Sequence, residues 1–298
     1  MHMTLSVATV TEMLAARDAL TGPVGLVPTM GYLHEGHLSL VHRSKLENDH
    51  TIVTIFVNPT QFGPNEDFER YPRNETRDLD LLEAAGVDIV FVPTVDEMYP
   101  QDFDDWVEVT GPVVDRLEGR RCPGHFRGVT TIVARLFRII RPDRAYFGQK
   151  DAQQLRVIRR MANDLALPVN VIGLPTIREP DGLAMSSRNV YLLPEDRSAA
   201  LVLSRSLRLA EDLVRQGETK ATEIKLRMQD LIETEPRVTL DYISITDEQT
   251  LEELDTIDRP ALALLAAHLT NTRLIDNTVL IPPGAAIPSH LADLITRP

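Results

Sequence analysis

Between Val24 and Gly173 the chain alternates short, apolar, β-branched runs with amphipathic stretches, a rhythm that predicts parallel strands covered by helices. The runs 24–28, 51–57, 87–92, 145–148 and 169–173 read as buried strands. The stretches 38–46, 77–85, 129–140 and 152–165 carry apolar residues at helical spacing. The predicted class is α/β, with a doubly wound parallel sheet. After about Asn189 the rhythm changes. Two long polar helices, 194–216 and 219–235, precede strand-like runs at 239–246, 261–269 and 273–276, which predicts a smaller α+β second domain. No low-complexity linker separates the two patterns, so the boundary is expected as a tight crossing near Met185, giving domains 1–184 and 185–298.

Bulk properties narrow the function classes. A chain of 298 residues can bury an ample core, and 43% hydrophobic with 25% charged residues is ordinary for a globular protein. The formal net charge of −13 argues against a surface built to neutralise nucleic-acid phosphates. Any phosphate it binds is expected on a small molecule in a local pocket. The single cysteine, Cys122, can form no intramolecular disulfide, so nothing requires an oxidising compartment. No uncharged apolar run approaches the roughly 20 residues that span a bilayer, and the N-terminus lacks a signal-peptide pattern. A cytoplasmic location is expected, without membrane or nucleic-acid partners.

In open α/β sheets ligands collect beyond the carboxyl ends of the strands, so the loops there are the places to look for chemistry. The first strand runs out through Pro28-Thr29-Met30-Gly31-Tyr32-Leu33 into His34-Glu35-Gly36-His37, where a helix begins. A helix N-terminus offers unpaired N–H donors and a positive dipole end, both favourable to phosphate. His34 and His37, three apart, face the same way on a first turn, and Gly36 lets a nucleotide approach the backbone. An imidazole can donate an N–H to a phosphate oxygen, and a protonated ring adds charge. The alternative is a pair of surface histidines at a helix cap. A zinc site is weaker still, because His-Glu-Gly-His lacks the spacing of a metalloprotease helix.

Three further segments share this placement. Met185-Ser186-Ser187-Arg188-Asn189 offers two hydroxyls and a guanidinium to a triphosphate, although such loops are often only solvated turns. Tyr146-Phe147-Gly148-Gln149-Lys150-Asp151 ends one strand and opens a helix. There Gly148 permits close approach, Lys150 can meet phosphate and Asp151 can accept from a ribose hydroxyl or cap the helix. Val57-Asn58-Pro59-Thr60-Gln61-Phe62 follows another strand, with Gln154 a companion on a later helix. Amides both donate and accept, which suits a small hydroxy acid. Arg120 and Arg121, ahead of Gly124-His125-Phe126-Arg127-Gly128, are expected in a flap over this pocket.

At these residues the sequence resembles the pantothenate synthetase family, within the nucleotidyltransferase superfamily that carries a His-x-Gly-His loop and a Lys-Met-Ser-Lys-Ser-like loop. The likeness rests on Val-Pro-Thr-Met-Gly from Val27, Val-Asn-Pro-x-Gln-Phe, the Asp-Phe-x-x-Tyr-Pro-Arg run ending at Arg73, Gly-His-Phe-Arg-Gly and Phe-Gly-Gln-Lys-Asp. It continues more weakly through Asp241-Tyr242 and Arg273-Leu274-Ile275-Asp276-Asn277. Two departures are minor: no lysine precedes Met185, and Arg188 ends the second loop.

The resemblance implies a Rossmann-like first domain that binds nucleotide and pantoate, and a C-terminal lid. It implies ATP contacts from Met30, His34, Gly36, His37, Gly148, Gln149, Lys150, Asp151, Ile177, Met185, Ser186, Ser187 and Arg188, with His34, His37, Lys150 and Arg188 catalytic. Gln61 and Gln154 would hold pantoate, with Asn58 beside them. It further implies Mg²⁺ carried mainly by the phosphates, a homodimer, and pantoate, β-alanine and ATP as substrates joined through an acyl-adenylate. Rival readings are a transferase acting on a phosphate ester, which would need a basic second pocket, a relative of the aminoacyl-tRNA synthetases, and a nucleotide sensor that only binds.

Overall fold

A computed structural model describes residues 3–64 and 66–295. The chain divides into two compact units: residues up to Gly148 together with Gln154–Leu174, and Gln149–Gln153 together with the chain from Pro175 onward. The first unit holds strands β1 (Leu5–Val7), β2 (Val24–Thr29), β3 (His50–Ile55), β4 (Ile89–Phe91), β5 (Arg144–Gly148) and β6 (Asn170–Leu174). They form one parallel sheet in the order β1-β4-β3-β2-β5-β6. Its helices are α1 (Val10–Asp18), α2 (Glu35–Glu47), α3 (Glu75–Ala84), α4 (Val95–Met98), α5 (Leu117–Arg121), α6 (His125–Ile140) and α7 (Ala152–Asp164), the last entering this unit at Gln154.

The near-continuous apolar strands bury both faces, and the period of two sorts their side chains into two cores. Leu26, Ile52, Ile89, Phe91, Ala145 and Phe147 pack with α1, α6 and α7 through Met13, Ile132, Leu136, Leu155 and Ile158. Their neighbours Val27, Val53, Val90 and Tyr146 pack on the other side with Leu40 and Val41 of α2 and Leu82 of α3. The sheet is therefore doubly wound, as the sequence pattern predicts. Each large side chain removed from water contributes about 1.5–3 kcal/mol, so both faces are needed to hold the sheet between its helices.

The succession of strands reverses between β2 and β5, and the ladder marks the place. Strand β2 pairs with β3 over six residues and β5 with β6 over five, but β2 meets β5 only at Gly25–Arg144 and Leu26–Ala145. Beyond those pairs the ladder between the two strands ends, and open α/β sheets bind ligands outside the carboxyl ends of the strands at such a switch point.

The second unit is a three-stranded antiparallel sheet, β7 (Thr239–Asp247), β8 (Ala261–Leu269) and β9 (Thr272–Leu280), with helices α8 (Pro194–Arg215), α9 (Ala221–Glu233) and α10 (Ser289–Ile295). Ala263, Leu265 and Ala267 of the central strand pack with Leu203, Leu207 and Ala210 of α8 and with Ile224 and Met228 of α9.

Two differences from the sequence reading concern extents. The units divide at Leu174/Pro175 rather than at 184/185. Residues 175–184 join the second unit because Arg178 makes a two-pronged ion pair with Asp276 (2.6 and 2.9 Å) and Glu179 pairs with Arg197 (2.7 Å). The first strand is β1, which the apolar rhythm did not reveal. It is three residues long, two of them exposed, on the sheet edge.

Candidate functional site

In the first unit the loop leaving β2 is built around two consecutive left-handed residues, Gly31 (φ 81°) and Tyr32 (φ 50°). A non-glycine residue in that region costs about 1–2 kcal/mol. What holds it is Asp78 of α3, buried at 1% exposure, whose carboxylate accepts from the Tyr32 N–H (2.6 Å) and the Leu33 N–H (2.8 Å). Hydrogen bonds to a charged group contribute about 1.5–3 kcal/mol each, enough to outweigh the strain. Burial pushes the Asp78 carboxyl above its ordinary value, against the opposing pull of those two N–H donors and Arg77. Arg77 also donates to the Leu33 carbonyl (3.0 Å). No reading of the sequence singled out Asp78. The signal that would have done so is an acid four positions before Leu82 on the buried stripe of α3.

The loop delivers His34 to the N-cap of α2. Its Nδ1 accepts from the Gly36 N–H (3.1 Å), while His37 Nδ1 accepts from the His34 N–H (3.3 Å), a reciprocal cap made of two imidazoles. A backbone N–H can only donate, so each Nδ1 is an acceptor and each neutral ring carries its proton on Nε2. The ring centroids lie 4.1 Å apart. The cap reading and the phosphate reading are thus compatible: one nitrogen of each ring fixes the helix start and the other carries the proton of the neutral ring.

The second cluster of this unit surrounds the single helical turn Pro59–Gln61 after β3. Asn58 is buried, and its amide bonds to Gln61 Oε1 (3.0 Å), the Gly128 carbonyl (3.2 Å), the Tyr99 hydroxyl (2.8 Å) and the Thr60 hydroxyl (2.9 Å). Gln61 Nε2 reaches the Met30 sulfur (3.2 Å), which brings two residues predicted for different ligands into contact. Gln154 stands half-buried on the first turn of α7.

The stretch 124–128 is corrected from the expected flap. Residues 125–128 are the first turn of α6, packed on the Pro59–Gln61 turn. A Cβ on Gly128 would lie 2.4 Å from the Thr60 carbonyl oxygen, and His125 Nδ1 lies 2.7 Å from the Gln61 carbonyl oxygen. Arg120 and Arg121 end the short helix α5 ahead of it.

In the second unit, Gln149–Asp151 form one turn. Asn277 of β9, at 4% exposure, donates to the carbonyls of Gln149 (3.0 Å) and Lys150 (2.9 Å), and the buried Gln149 side chain donates back to it (3.1 Å). Lys150 Nζ pairs with Asp151 (3.3 Å). The Ile177 carbonyl accepts from the Met185 N–H (2.9 Å), so these two predicted contacts are neighbours in a small hairpin closed by the Arg178–Ala184 bridge. Ser186 caps the turn Ser187–Tyr191 by accepting from the Arg188 N–H (3.3 Å), and Asn189 donates to Glu179 and to the Ala184 carbonyl. Asn277 belonged to a quoted motif, but its role as a clamp on the lysine turn was not legible.

A comparison with known families decides the membership, for residues 2–279 match the sequence profile described as pantoate-beta-alanine ligase. The chain belongs to the pantoate–β-alanine ligase family. A pantothenate synthetase of Roseiflexus castenholzii is 59% identical over 274 residues, covering 92% of this chain and 98% of that one. One from Thermotoga neapolitana is 58% identical over 257 residues, covering 86% and 91%. Among solved structures, the pantothenate synthetase of Thermus thermophilus superposes with a TM-score of 0.90 at 48% identity, over 93% of this chain and all (100%) of that one. The pantoate-beta-alanine ligase of Francisella tularensis, complexed with beta-gamma ATP and β-alanine, gives 0.78 at 33% identity over 93% and 98%. The sheet order and the second antiparallel sheet seen here are thus those of the family.

Among the described residues no group of three or more His, Cys, Asp or Glu side chains comes together as metal ligands do. No helix among them is long and apolar enough to cross a membrane.

Proposed function

We propose that the chain condenses pantoate with β-alanine at the expense of ATP, forming pantothenate through a pantoyl-adenylate and releasing pyrophosphate and AMP. The observation that supports the reading is the imidazole cap of α2: two rings 4.1 Å apart whose Nδ1 atoms are committed to backbone N–H groups, so that in the neutral rings Nε2 carries the proton a phosphate oxygen would accept. Family membership supports it, as does the Francisella relative complexed with beta-gamma ATP and β-alanine.

In the first step the pantoate carboxylate attacks the α-phosphorus and pyrophosphate leaves. His34, His37, Lys150 and Arg188 stabilise the negative charge that grows on the phosphate oxygens. Met30, Gly36, Gly148, Asp151, Ile177, Met185, Ser186 and Ser187 contact the nucleotide. Gln149 is placed with them, its side chain held by Asn277. Gln61 and Gln154 hold pantoate, and Asn58 holds Gln61. In the second step the neutral amine of β-alanine attacks the acyl carbonyl, a C–N bond forms, the C–O bond to the phosphate breaks with its electron pair going to AMP, and the amine's surplus proton passes to solvent. The mixed anhydride is already reactive, so positioning and electrostatics supply the acceleration and no protein nucleophile takes part. Mg²⁺, when bound, would be held mainly by the triphosphate oxygens and would neutralise part of their charge. No residue of this chain is assigned to the ion.

The test is to supply ATP, Mg²⁺ and pantoate with and without β-alanine and follow both products. Pyrophosphate release should require pantoate, and sustained AMP release should require β-alanine as well. ATP turnover indifferent to pantoate would overturn the reading. The remaining expectations, a cytoplasmic homodimer joined through the first unit, are checked by sedimentation and fractionation, and a purely monomeric boundary would remove the dimer.

A further inference from the structure

The amide pocket has a built-in polarity. Asn58 is bracketed by two backbone groups that each have only one possible role. The Gly128 carbonyl, 3.2 Å from Nδ2, can only accept, and the Thr60 N–H, 3.4 Å from Oδ1, can only donate. Flipping the amide would set two acceptors face to face at Gly128 and two donors at Thr60, so the orientation is determined by geometry. The Tyr99 and Thr60 hydroxyls both donate to the same Oδ1, at 2.8 and 2.9 Å. Burial, above all, pushes the Tyr99 phenol above its ordinary value, so it keeps the proton it donates. The remaining hydrogen on Asn58 Nδ2 faces Gln61 Oε1 at 3.0 Å.

The consequence falls on Gln61. Its oxygen is engaged by Asn58, so its Nε2 is turned the other way, toward the Met30 thioether at 3.2 Å. A thioether is a weak acceptor that a carboxylate or hydroxyl oxygen readily displaces. We propose that Tyr99 and Asn58 are positioning residues that make Gln61 a one-way donor. The pocket then selects an acceptor oxygen of the hydroxy acid and disfavours a substrate presenting an N–H at that point. This rests on the reading that Gln61 holds pantoate.

Asn58→Asp replaces the amide by an isostere that, when ionised, only accepts. It should turn the Gln61 amide around and present its oxygen outward. At about pH 8 the variant should raise the pantoate KM by about tenfold while the ATP KM stays within about twofold, the size of one lost hydrogen bond. Burial at this position, where Asn58 is 1% exposed, holds the new carboxyl above the ordinary aspartate range, so toward about pH 6 the gap should narrow as its protonated form again donates to Gln61. Wild type measured in parallel accounts for His125, whose Nδ1 lies 2.7 Å from the Gln61 carbonyl oxygen. Tyr99→Phe, which adds no charge and guards against loss of folding, should raise the pantoate KM by about threefold and leave that for ATP unchanged. Wild-type pantoate values in both variants, an equal rise for both substrates, or a gap that ignores pH would overturn the inference. A wild-type protein without pantoate-dependent pyrophosphate release would overturn the proposed function itself, and this inference with it.

Discussion

The imidazole cap of the first unit and the lysine turn of the second are held in opposite ways. At the cap the partners are close in sequence: His34 and His37 bond to backbone two and three residues away. At the lysine turn the holding group comes from far along the chain, Asn277 reaching back 127 residues to Lys150, just as Asp276 reaches back 98 to Arg178 in the Arg178–Ala184 hairpin. A motif whose geometry is locally encoded can be read from its own residues. A motif clamped from a distant strand needs that strand in place first, so its precision depends on the folding of the second unit.

Breaking the local arrangement should have the largest effect. His37→Ala removes the proposed phosphate donor and half of the cap, and single-turnover adenylation should fall by roughly 10²-fold or more. An unchanged rate in rapid-quench measurements would remove His37 from the mechanism.

Breaking the distant clamp is the counterpart. Asn277→Ala leaves the buried Gln149 carbonyl and the part-buried Lys150 carbonyl without their donor, which should cost about 1–3 kcal/mol for the first and less for the second by denaturant unfolding. It should also raise the ATP KM more than the pantoate KM. Equal effects on both substrates would show that the clamp supports the second unit in general rather than the lysine turn.

A smaller effect is expected where α6 meets the amide pocket. A methyl on Gly128 would sit 2.4 Å from the Thr60 oxygen and 2.7 Å from the Gln61 nitrogen. Gly128→Ala should therefore cost about 1–3 kcal/mol and weaken pantoate more than ATP. Native stability would mean that the turn yields without cost.

The smallest effect belongs to Cys122. Burial, and then the charge of Glu66, push its thiol above the ordinary value, so it stays protonated and unreactive near neutral pH. Cys122→Ser should leave both KM values unchanged and stability within about 0.5 kcal/mol, and rapid iodoacetamide labelling of the wild type would contradict the assignment.

The sheet and its covering helices were legible because burial on both faces leaves long apolar runs, from Ile52 and Val53 to Phe147, that survive as pattern. The His34–His37 loop and the Ser186–Arg188 turn were legible for the same kind of reason, since caps and turns draw on neighbours. Asp78, Tyr99 and Asn277 were not. The helical stripe of α3 marks Asp78 as a buried acid, but nothing beside it in the sequence names the loop some 45 residues earlier whose two N–H groups it accepts. The edge strand β1 was missed because three residues cannot display a period.

What the amino-acid order determined by itself is which segments become strands, which loops lie at their carboxyl ends, and which side chains suited to phosphate and hydroxy acid sit there. Only the tertiary structure decided which way the Gln61 amide points and what clamps Lys150. Hydrogen bonds have direction, and a direction is set by the partner across the gap, which sequence proximity supplies for a cap but not for a contact between distant elements.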